Sequence, residues 1–402
     1  MTRSAVHVRA ELRQAVPVDE ATSSTARATR SRHGGYLFHP IVDFLLAGGG
    51  SVLVAVPVFW LIRDKAAAHP TALTIGLVLS ILINYPHFAH SYQLLYSGIG
   101  ARIFGSGTPT KVRLKYIWAG FVAPALIGGF LIGTYVSGSA RLLALAANAF
   151  WFTTGWHYVK QGYGVIIVLS AIRRIHFSNI EKKLLLANGY TVWIYSWMAL
   201  NMGLHEKTFY GVKYFTLPLP SALVTVGYFA ALLTTAAVAG AVVYRVLMRK
   251  QPVSWNGVIG YVSSLYLWVI AFNADPLFTI FVPAFHSLQY LLFVWRYQLN
   301  KAAAQASADG AASSIGLTEI DKTSPAMRLA NFVLVGVVLG IVGFGALPAL
   351  FQASLAPDAA LWGPTVFAFI FVVWINLHHY FIDNVIWRRD NEDVRRFLFA
   401  TK

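Results

Sequence analysis

Apolar stretches of about 20 residues or more alternate along this chain with short polar segments. A helix of that length spans the hydrocarbon core of a bilayer, which is about 30 Å thick. The pattern predicts an all-α polytopic membrane protein with one transmembrane domain over residues 39–390. About ten spanning helices are expected, at residues 41–62, 71–96, 114–136, 142–172, 184–204, 221–248, 256–273, 276–299, 327–352 and 361–388.

The positions of the basic residues predict the direction in which each helix crosses the membrane. Of the 32 Lys and Arg residues, 26 lie in the two tails and near the loops after even-numbered spans, and five lie in the loops after odd-numbered spans. Cytoplasmic segments of membrane proteins carry the excess of positive charge. Both termini are therefore expected in the cytoplasm, and the expected location is a bacterial inner or plasma membrane.

The composition narrows the chemistry that the chain can perform. It is 57% hydrophobic and 12% charged, and it contains no cysteine. The absence of thiols excludes disulfides, iron–sulfur clusters and cysteine nucleophiles. A net charge of +16 in a soluble protein would suggest nucleic-acid binding, but here most basic residues lie between the apolar stretches. The expected partner is lipid rather than nucleic acid, and histidine and carboxylate must carry any metal.

The polar segments predict where the chain leaves the membrane. Residues 1–38 lack an apolar run and are expected to form a disordered basic cytoplasmic tail. The Ala-, Ser- and Gly-rich stretch 301–325 is expected to be a flexible inner loop, and residues 391–402 a cytoplasmic C-terminal tail. The fourth span is so long that it must tilt, project from the membrane, or break around Gly162 and Gly164.

Six of the twelve histidines fall inside predicted spans, and all six lie in even-numbered ones. They are His87 and His90 in the second span, His157 in the fourth, His286 in the eighth, and His378 and His379 in the tenth. Even-numbered spans all run inward, so position along a span gives depth at about 1.5 Å per residue. The depths overlap between mid-membrane and the cytoplasmic half, so the histidines are candidate ligands of one metal. Neighbours on a helix point about 100° apart, so one of the adjacent pair is expected to be structural.

Other polar residues lie near these histidines on the same helices. Those expected to hydrogen-bond the ligand histidines are Asn84, Gln161, Gln289 and Asn376. Asp383 is expected either to orient a ligand in the same way or to bind the metal itself. Asp383, Tyr290 and Lys160 are the candidate catalytic residues. Lys160 is interpreted also as a cation that extends along its helix to the interface, or as a partner of Asp383.

Three interpretations of the buried histidines stay open. Neutral imidazole is the commonest nitrogen ligand for Fe, Zn, Cu and Mn, and a metal satisfies ring nitrogens that hydrocarbon cannot. The same side chains are also suited to a pathway for protons or metal ions, or to hydrogen bonds that hold helices together. Histidine pairs from facing helices bind haem in membrane cytochromes, so haem is an alternative cofactor.

Three dipeptides resemble a known family. They are Pro86-His87, Trp156-His157 and Phe285-His286. They are similar to motifs of the bacterial Brp/Blh-type family, membrane dioxygenases that cleave β-carotene to retinal. The resemblance implies a non-haem iron near the membrane core, with these three histidines as the first ligands to test. The chain departs from the family at Tyr290, where the family has a further histidine, and at the Gly and Asp expected after the first motif.

These observations predict a function. The leading hypothesis is a membrane-embedded, histidine-coordinated metal oxidoreductase, and specifically a non-haem iron oxygenase. Its substrates would be O₂ and a lipophilic molecule such as a carotenoid, a terpenoid or an acyl chain. The alternatives are a transporter of protons or metal ions that uses intramembrane His and Asp, and a haem-binding membrane redox protein.

Overall fold

The computed structural model describes residues 35–62, 69–274, 277, 280–314, 324–355, 357–388 and 390–399. Within these ranges the chain is helical apart from one short β-hairpin and the connecting segments, which confirms the all-α prediction. Residues 1–34 of the expected tail and residues 315–323 of the expected inner loop lie outside the described residues.

The helices follow one another with short connections. The first half forms α1 (Pro40–Phe44 and Gly50–Ile62), α2 (His69–Leu79 and Tyr85–Tyr96), α3 (Ile99–Phe104), α4 (Thr110–Ile117 and Ala123–Val136), α5 (Ala140–Ile172) and α6 (Asn179–Leu200). A hairpin of β1 (Glu206–Phe209) and β2 (Val212–Phe215) comes next. The second half forms α7 (Ser221–Val243), α8 (Trp255–Ala274), α9 (Val282–Ser314), α10 (Pro325–Ile341 and Leu347–Leu355), α11 (Ala359–Trp362), α12 (Val366–Ile386) and α13 (Glu392–Leu398).

Each of the ten predicted spans coincides with one of the long helices, but not all of them pass a test of length and hydropathy. Among the described residues, six helices are long and apolar enough to cross a membrane. These are Pro40–Trp60, His69–Tyr96, Thr110–Val136, Ser221–Met248, Pro325–Leu355 and Val366–Ile386. They indicate an integral membrane protein. The count of ten spans is not supported by this criterion, which leaves out α5, α6, α8 and α9.

Wider π-helical turns interrupt several of these helices. They lie at Leu45–Gly49 in α1, Ser80–Asn84 in α2, Trp118–Val122 in α4, Tyr244–Met248 at the end of α7, and Val342–Ala346 in α10. The hydrophobic pattern does not predict them, because a single π turn changes the helix phase without changing the composition. Such turns shift the backbone pairing locally and are frequent at functional sites.

The π turn of α1 brings this helix against α8 and α9. Gly48 has φ +151°, and a Cβ atom there would collide with Ser263 of α8, so only glycine allows the approach. Gln289 of α9 then joins the three helices, because its amide nitrogen donates to Ala47 O at 2.7 Å and to Gly260 O at 2.9 Å. The polar residue is therefore satisfied inside the bundle, as buried amides require.

Helix α5 runs without a break from Ala140 to Ile172. Of the three alternatives for this long span, a break around Gly162 and Gly164 is therefore ruled out, and tilt or projection from the membrane stays open. Gly162 instead allows close packing on α8, since an added Cβ would lie 2.7 Å from Cβ of Ser264. The polar residues near the middle of α5 therefore stay at the level of the polar residues on the neighbouring helices.

The loop after α6 contains a hairpin that the hydrophobic pattern did not predict. Its turn residues Tyr210 and Gly211 both have positive φ, at 47° and 76°, as tight hairpins need. Val212 and Tyr214 of β2 are buried in a core cluster with Phe369 of α12. The hairpin therefore covers the end of the bundle where α12 begins.

Two of the predicted polar segments contain helix. Residues 301–314 continue helix α9 rather than forming part of a flexible loop, because their alanines favour helix. In the predicted C-terminal tail, α13 packs on the middle of α9: Val394 and Phe397 share a core cluster with Tyr297. Asn300 Nδ2 donates to Phe397 O at 2.6 Å, which holds the two helices together.

Candidate metal centre

Four helices bring four imidazoles together at the centre of the bundle. His87 comes from α2, His157 from α5, His286 from α9 and His379 from α12. Ring centroids are 5.4 Å apart for His87 and His286, and 5.0 Å for His286 and His157. The ring closes at 5.0 Å between His157 and His379 and 4.5 Å between His379 and His87. We call these residues the four-histidine cluster, and all four are buried.

The ring nitrogens of the cluster are mostly unsatisfied. Those without a hydrogen-bond partner among the described residues are Nε2 of His87, Nε2 of His157, and both nitrogens of His286 and of His379. A buried polar atom without a partner costs roughly 1–3 kcal/mol, so several in one place require an explanation. A metal ion accepts lone pairs from such nitrogens, and the residues present therefore fit a metal.

Asp383 adds a carboxylate to the cluster from the next turn of α12. Its Oδ2 atom lies 3.3 Å from Nε2 of His379 and 3.9 Å from Nε2 of His157. His157, His379 and Asp383 each offer one ligand atom, and these atoms lie within 4.8 Å of one another. The carboxylate is therefore placed to share a cation with two of the histidines. Its other oxygen, Oδ1, accepts a hydrogen bond from Tyr290 OH at 3.1 Å.

The hydroxyl of Ser287 determines which ring nitrogen of His87 carries the proton. Ser287 Oγ lies 2.8 Å from His87 Nδ1, 2.9 Å from Asn84 Oδ1 and 2.7 Å from Pro283 O. The hydroxyl has only one proton, and the carbonyls can only accept it. We therefore assign the proton of His87 to Nδ1, which donates to Ser287. This leaves the lone pair of Nε2 free on the side of the cluster, as metal binding requires.

Tyrosine rings form the walls of the cluster. Tyr158 stacks on His286 with centroids 3.9 Å apart, and Tyr380 stacks on His157 at 4.4 Å. The hydroxyl of Tyr380 lies 2.8 Å from Thr154 Oγ1, so it is satisfied away from the cluster. These contacts fix the ring planes of two histidines and exclude water from their faces.

His378 does not belong to the cluster, although it was predicted as a ligand. Its Nε2 donates to Ala119 O of α4 at 2.6 Å, and its Nδ1 lies 2.7 Å from Tyr92 OH of α2. Both ring nitrogens are therefore used, and the residue ties α12 to two other helices. This confirms the expectation that one of the adjacent histidines is structural and identifies which one.

His90 is also directed away from the cluster, contrary to the prediction. Its ring stacks on Phe332 of α10 with centroids 4.4 Å apart, and a Cβ on Gly336 would collide with it. Nδ1 lies 2.7 Å from Gln93 Oε1. The spacing of three residues from His87 places it on the neighbouring part of the α2 surface, where it packs against α10.

Lys160 was predicted as a catalytic residue, but its side chain does not lie with the others. Its side chain is exposed, whereas His157, Tyr158 and Val159 before it are buried. Asp383 contacts Tyr290, His157 and His379, and among the described residues it makes no ion pair with Lys160. The alternative interpretation, a cation on the outer face of the long helix, agrees with its position.

The four polar residues expected to support the ligands have different roles. Asn84 acts on His87 only through Ser287. Gln161 donates to the backbone oxygen of His286 at 2.8 Å rather than to its ring. Gln289 joins helices, as described above. Asn376 donates to Val372 O within its own helix and lies 3.5 Å from Tyr380 OH, so it reaches no imidazole.

Sequence reasoning missed Ser287 and Tyr380, which contact the imidazoles of His87 and His157. Each cluster histidine except His87 is followed directly in the sequence by one of the contacting residues Tyr158, Ser287 and Tyr380. That adjacency was the available signal, but it does not indicate direction, because neighbours on one helix diverge. Only the packing of another helix turns Tyr158 back onto His286 of α9 and Tyr380 of α12 onto His157.

Comparison of the chain with protein-family models, with curated proteins and with solved structures finds no match. The resemblance to the Brp/Blh-type family therefore stays an expectation based on three dipeptides. The four-histidine cluster, with Asp383 beside it, is the feature from which function is argued.

Proposed function

We propose that the protein is a membrane-embedded metal oxidoreductase whose four-histidine cluster holds a non-haem iron. The observation that carries this proposal is the closed ring of His87, His157, His286 and His379, each with at least one ring nitrogen that has no hydrogen-bond partner among the described residues. Within it, ligand atoms of His157, His379 and Asp383 lie within 4.8 Å of one another. Structural hydrogen bonding of both ring nitrogens, an ordinary role of a membrane histidine, is seen at His378, whereas each of these four residues keeps at least one ring nitrogen without a partner among the described residues.

The donor set favours a transition metal. Four neutral imidazoles and one carboxylate suit Fe(II), and they also bind Zn, Mn or Cu. The resemblance to the Brp/Blh-type family selects iron from this group. When bound, iron would supply the capacity to react with O₂. A porphyrin does not fit between rings whose centroids are 4.5 to 5.4 Å apart, so haem is not proposed.

The protein side chains would hold and orient the reacting groups. Ser287 keeps the lone pair of His87 Nε2 available. Tyr290 donates to Asp383 and lies 2.8 Å from Ser91 Oγ, which gives the carboxylate a hydrogen-bonded proton source. The surrounding tyrosine and phenylalanine rings keep water out, so a reaction with O₂ would proceed in an apolar environment.

The proposed substrate is lipophilic, such as a carotenoid, a terpenoid or an acyl chain. Two of the four helices that carry the cluster, α2 and α12, belong to the six that are apolar enough to cross a membrane. A molecule that reaches a site at this depth must dissolve in the bilayer. We also propose that all ten long helices cross, with both termini in the cytoplasm of a bacterial cell, because the Lys and Arg distribution alternates over ten spans.

Oxygen consumption in liposomes tests the proposed function. Iron-loaded protein reconstituted with a carotenoid, a terpenoid or an unsaturated acyl lipid should consume O₂ with at least one of them, and His87→Ala should abolish this activity. His90→Ala, three residues away on the same helix and outside the cluster, is the matched control and should retain it. No uptake of O₂ with a carotenoid, a terpenoid or an unsaturated acyl lipid would overturn the oxygenase. Accumulation of metal inside the liposomes would favour a transporter instead.

A further inference from the structure

A groove of about 430 Å³ lies between α10 and α12. Its lining comprises Phe344, Gly345, Pro348, Ala349, Gln352, Ala353, Thr365 and Ala368. The volume lies within the range of about 300–1,000 Å³ that is usual for small-molecule sites. Both helices belong to the six that are apolar enough to cross a membrane, so the groove opens toward lipid.

The groove has a polar end and an apolar end. Gln352 and Thr365 lie at the level where α12 begins, since Gln352 Oε1 is 3.5 Å from Phe367 N. Phe344 lies two turns deeper, where its ring contacts Phe371 of α12 with centroids 5.1 Å apart. None of the described residues that line the groove is charged. The polar end therefore offers only a neutral amide and the hydroxyl of Thr365, which donates to Tyr210 O at 2.7 Å and can still accept a hydrogen bond.

The apolar end leads toward the four-histidine cluster. The ring of Phe344 contacts Phe88 of α2 with centroids 5.4 Å apart. Phe88 in turn contacts His379 at 5.1 Å and His87 at 4.8 Å. Two aromatic rings thus separate the groove from the imidazoles. Phe344 also stacks on Tyr85 with centroids 4.2 Å apart, so a chain that reaches the imidazoles has to displace side chains but no backbone.

We propose that this groove binds the apolar chain of a neutral, single-headed lipophile, such as a long-chain or isoprenoid alcohol, and directs the chain past Phe344 and Phe88 to the four-histidine cluster. This inference rests on the proposed function, for which it names the substrate class and the route. The hydroxyl end of the lipophile binds at Gln352 and Thr365. A phospholipid carries a charged headgroup that these two residues cannot pair, so it is not the occupant.

Gly345 offers a way to fill the groove without disturbing the fold. A Cβ atom at Gly345 meets nothing within 4 Å, so the side chain of Gly345→Leu extends into the open groove. Gly129 of α4 also has nothing within 4 Å of its Cβ position and is exposed, but it lies outside the groove. Gly129→Leu is therefore the matched control for added bulk on a lipid-facing helix.

Photolabelling tests the proposal on the full chain in nanodiscs. The probe is a C16 alcohol with a diazirine in its chain, and labelled peptides are identified by mass spectrometry. Labelling of residues 344–353 and 365–371 should saturate and be displaced by excess unlabelled C16 alcohol. Gly345→Leu should lower it at least fivefold, Gln352→Leu should weaken the apparent affinity, and Gly129→Leu should change neither. A diazirine phosphatidylcholine should label these peptides without saturation.

The outcomes distinguish the groove proposal from the proposed metal enzyme. Labelling that does not saturate, or that is equal in Gly345→Leu and the wild type, overturns the groove as a binding site. Iron content is measured on the same preparations and reports on the four-histidine cluster alone. Saturable labelling of a protein that binds no iron would leave the groove established and refute the proposed metal enzyme.

Discussion

The proton position on His87 depends on a single hydroxyl. Ser287 Oγ has two carbonyl acceptors besides the imidazole, so it accepts from Nδ1. Hydrogen-bond partners of this kind typically contribute 10–100-fold to metal affinity, because they fix both the tautomer and the ring plane.

Ser287→Ala should therefore weaken metal binding by roughly 10–100-fold without unfolding the protein. The measurement is a titration of the purified apoprotein with Fe(II) under anaerobic conditions. Ser196→Ala is the matched control, because Ser196 is also buried in a helix but bonds only Val192 O of its own helix. Equal affinities for both variants and the wild type would show that Ser287 does not orient a ligand.

The sequence predicted which histidines could meet, but not which ones do. Depth along a helix depends on residue number alone, so His87, His157, His286 and His379 were all predicted at one level. Direction depends on which neighbour packs on each helix face. Gly336 of α10 gives space to His90, and the backbone of α4 accepts from His378, and neither contact is visible in the spacing.

At the scale of elements, the ends of helices were predictable only where their caps are local. Helix α6 begins after Ser178, whose hydroxyl accepts from Glu181 N at 3.2 Å while Glu181 accepts from Ser178 N at 2.6 Å. This is a capping box, which a sequence can reveal. The π turns and the hairpin between β1 and β2 depend on contacts with other helices, such as that of Gly48 with Ser263, and were missed.

The capping box predicts a pH dependence. Partial burial raises the pKa of Glu181, but hydrogen bonds from Ser178 and Arg245 outweigh it, and the pKa lies below its ordinary value. The carboxylate is the bonded form, so its contribution is complete above about pH 4.3, the ordinary value for Glu. That contribution is lost as the pH falls through the lowered pKa of the folded state.

The difference in Tm between the wild type and Glu181→Gln should therefore be largest at neutral pH and should shrink below about pH 4.3. Thermal unfolding in detergent at several pH values measures it. Lys183→Gln, two residues away and exposed, should show no such pH-dependent difference. A difference that stays constant down to pH 3 would show that Glu181 does not act through its charge.

At the scale of the whole molecule, two criteria give different numbers of helices that cross the membrane. Length and hydropathy select six helices among the described residues, whereas the alternation of positive charge requires ten. The two counts differ for α6, because six spans would leave Lys183 and Lys213 on the same side. Ten spans place Lys183 in the cytoplasm and Lys213, on the hairpin, outside.

Single cysteines distinguish the two counts, since the natural chain contains none. A maleimide that cannot cross membranes should label Lys213→Cys in intact spheroplasts. It should label Lys183→Cys only after the membrane is opened. Labelling of both variants from the same side would refute the crossing of α6 and the ten-span arrangement with it.

The metal content of the purified protein tests the central claim most directly. After reconstitution with Fe(II) and removal of free metal, the wild type should hold about one iron per chain, as should His90→Ala. His157→Ala, His286→Ala and His379→Ala should each lose most of it while keeping their helical circular dichroism. Wild-type protein that holds no more iron, zinc, manganese or copper than a variant lacking all four cluster histidines would contradict the account.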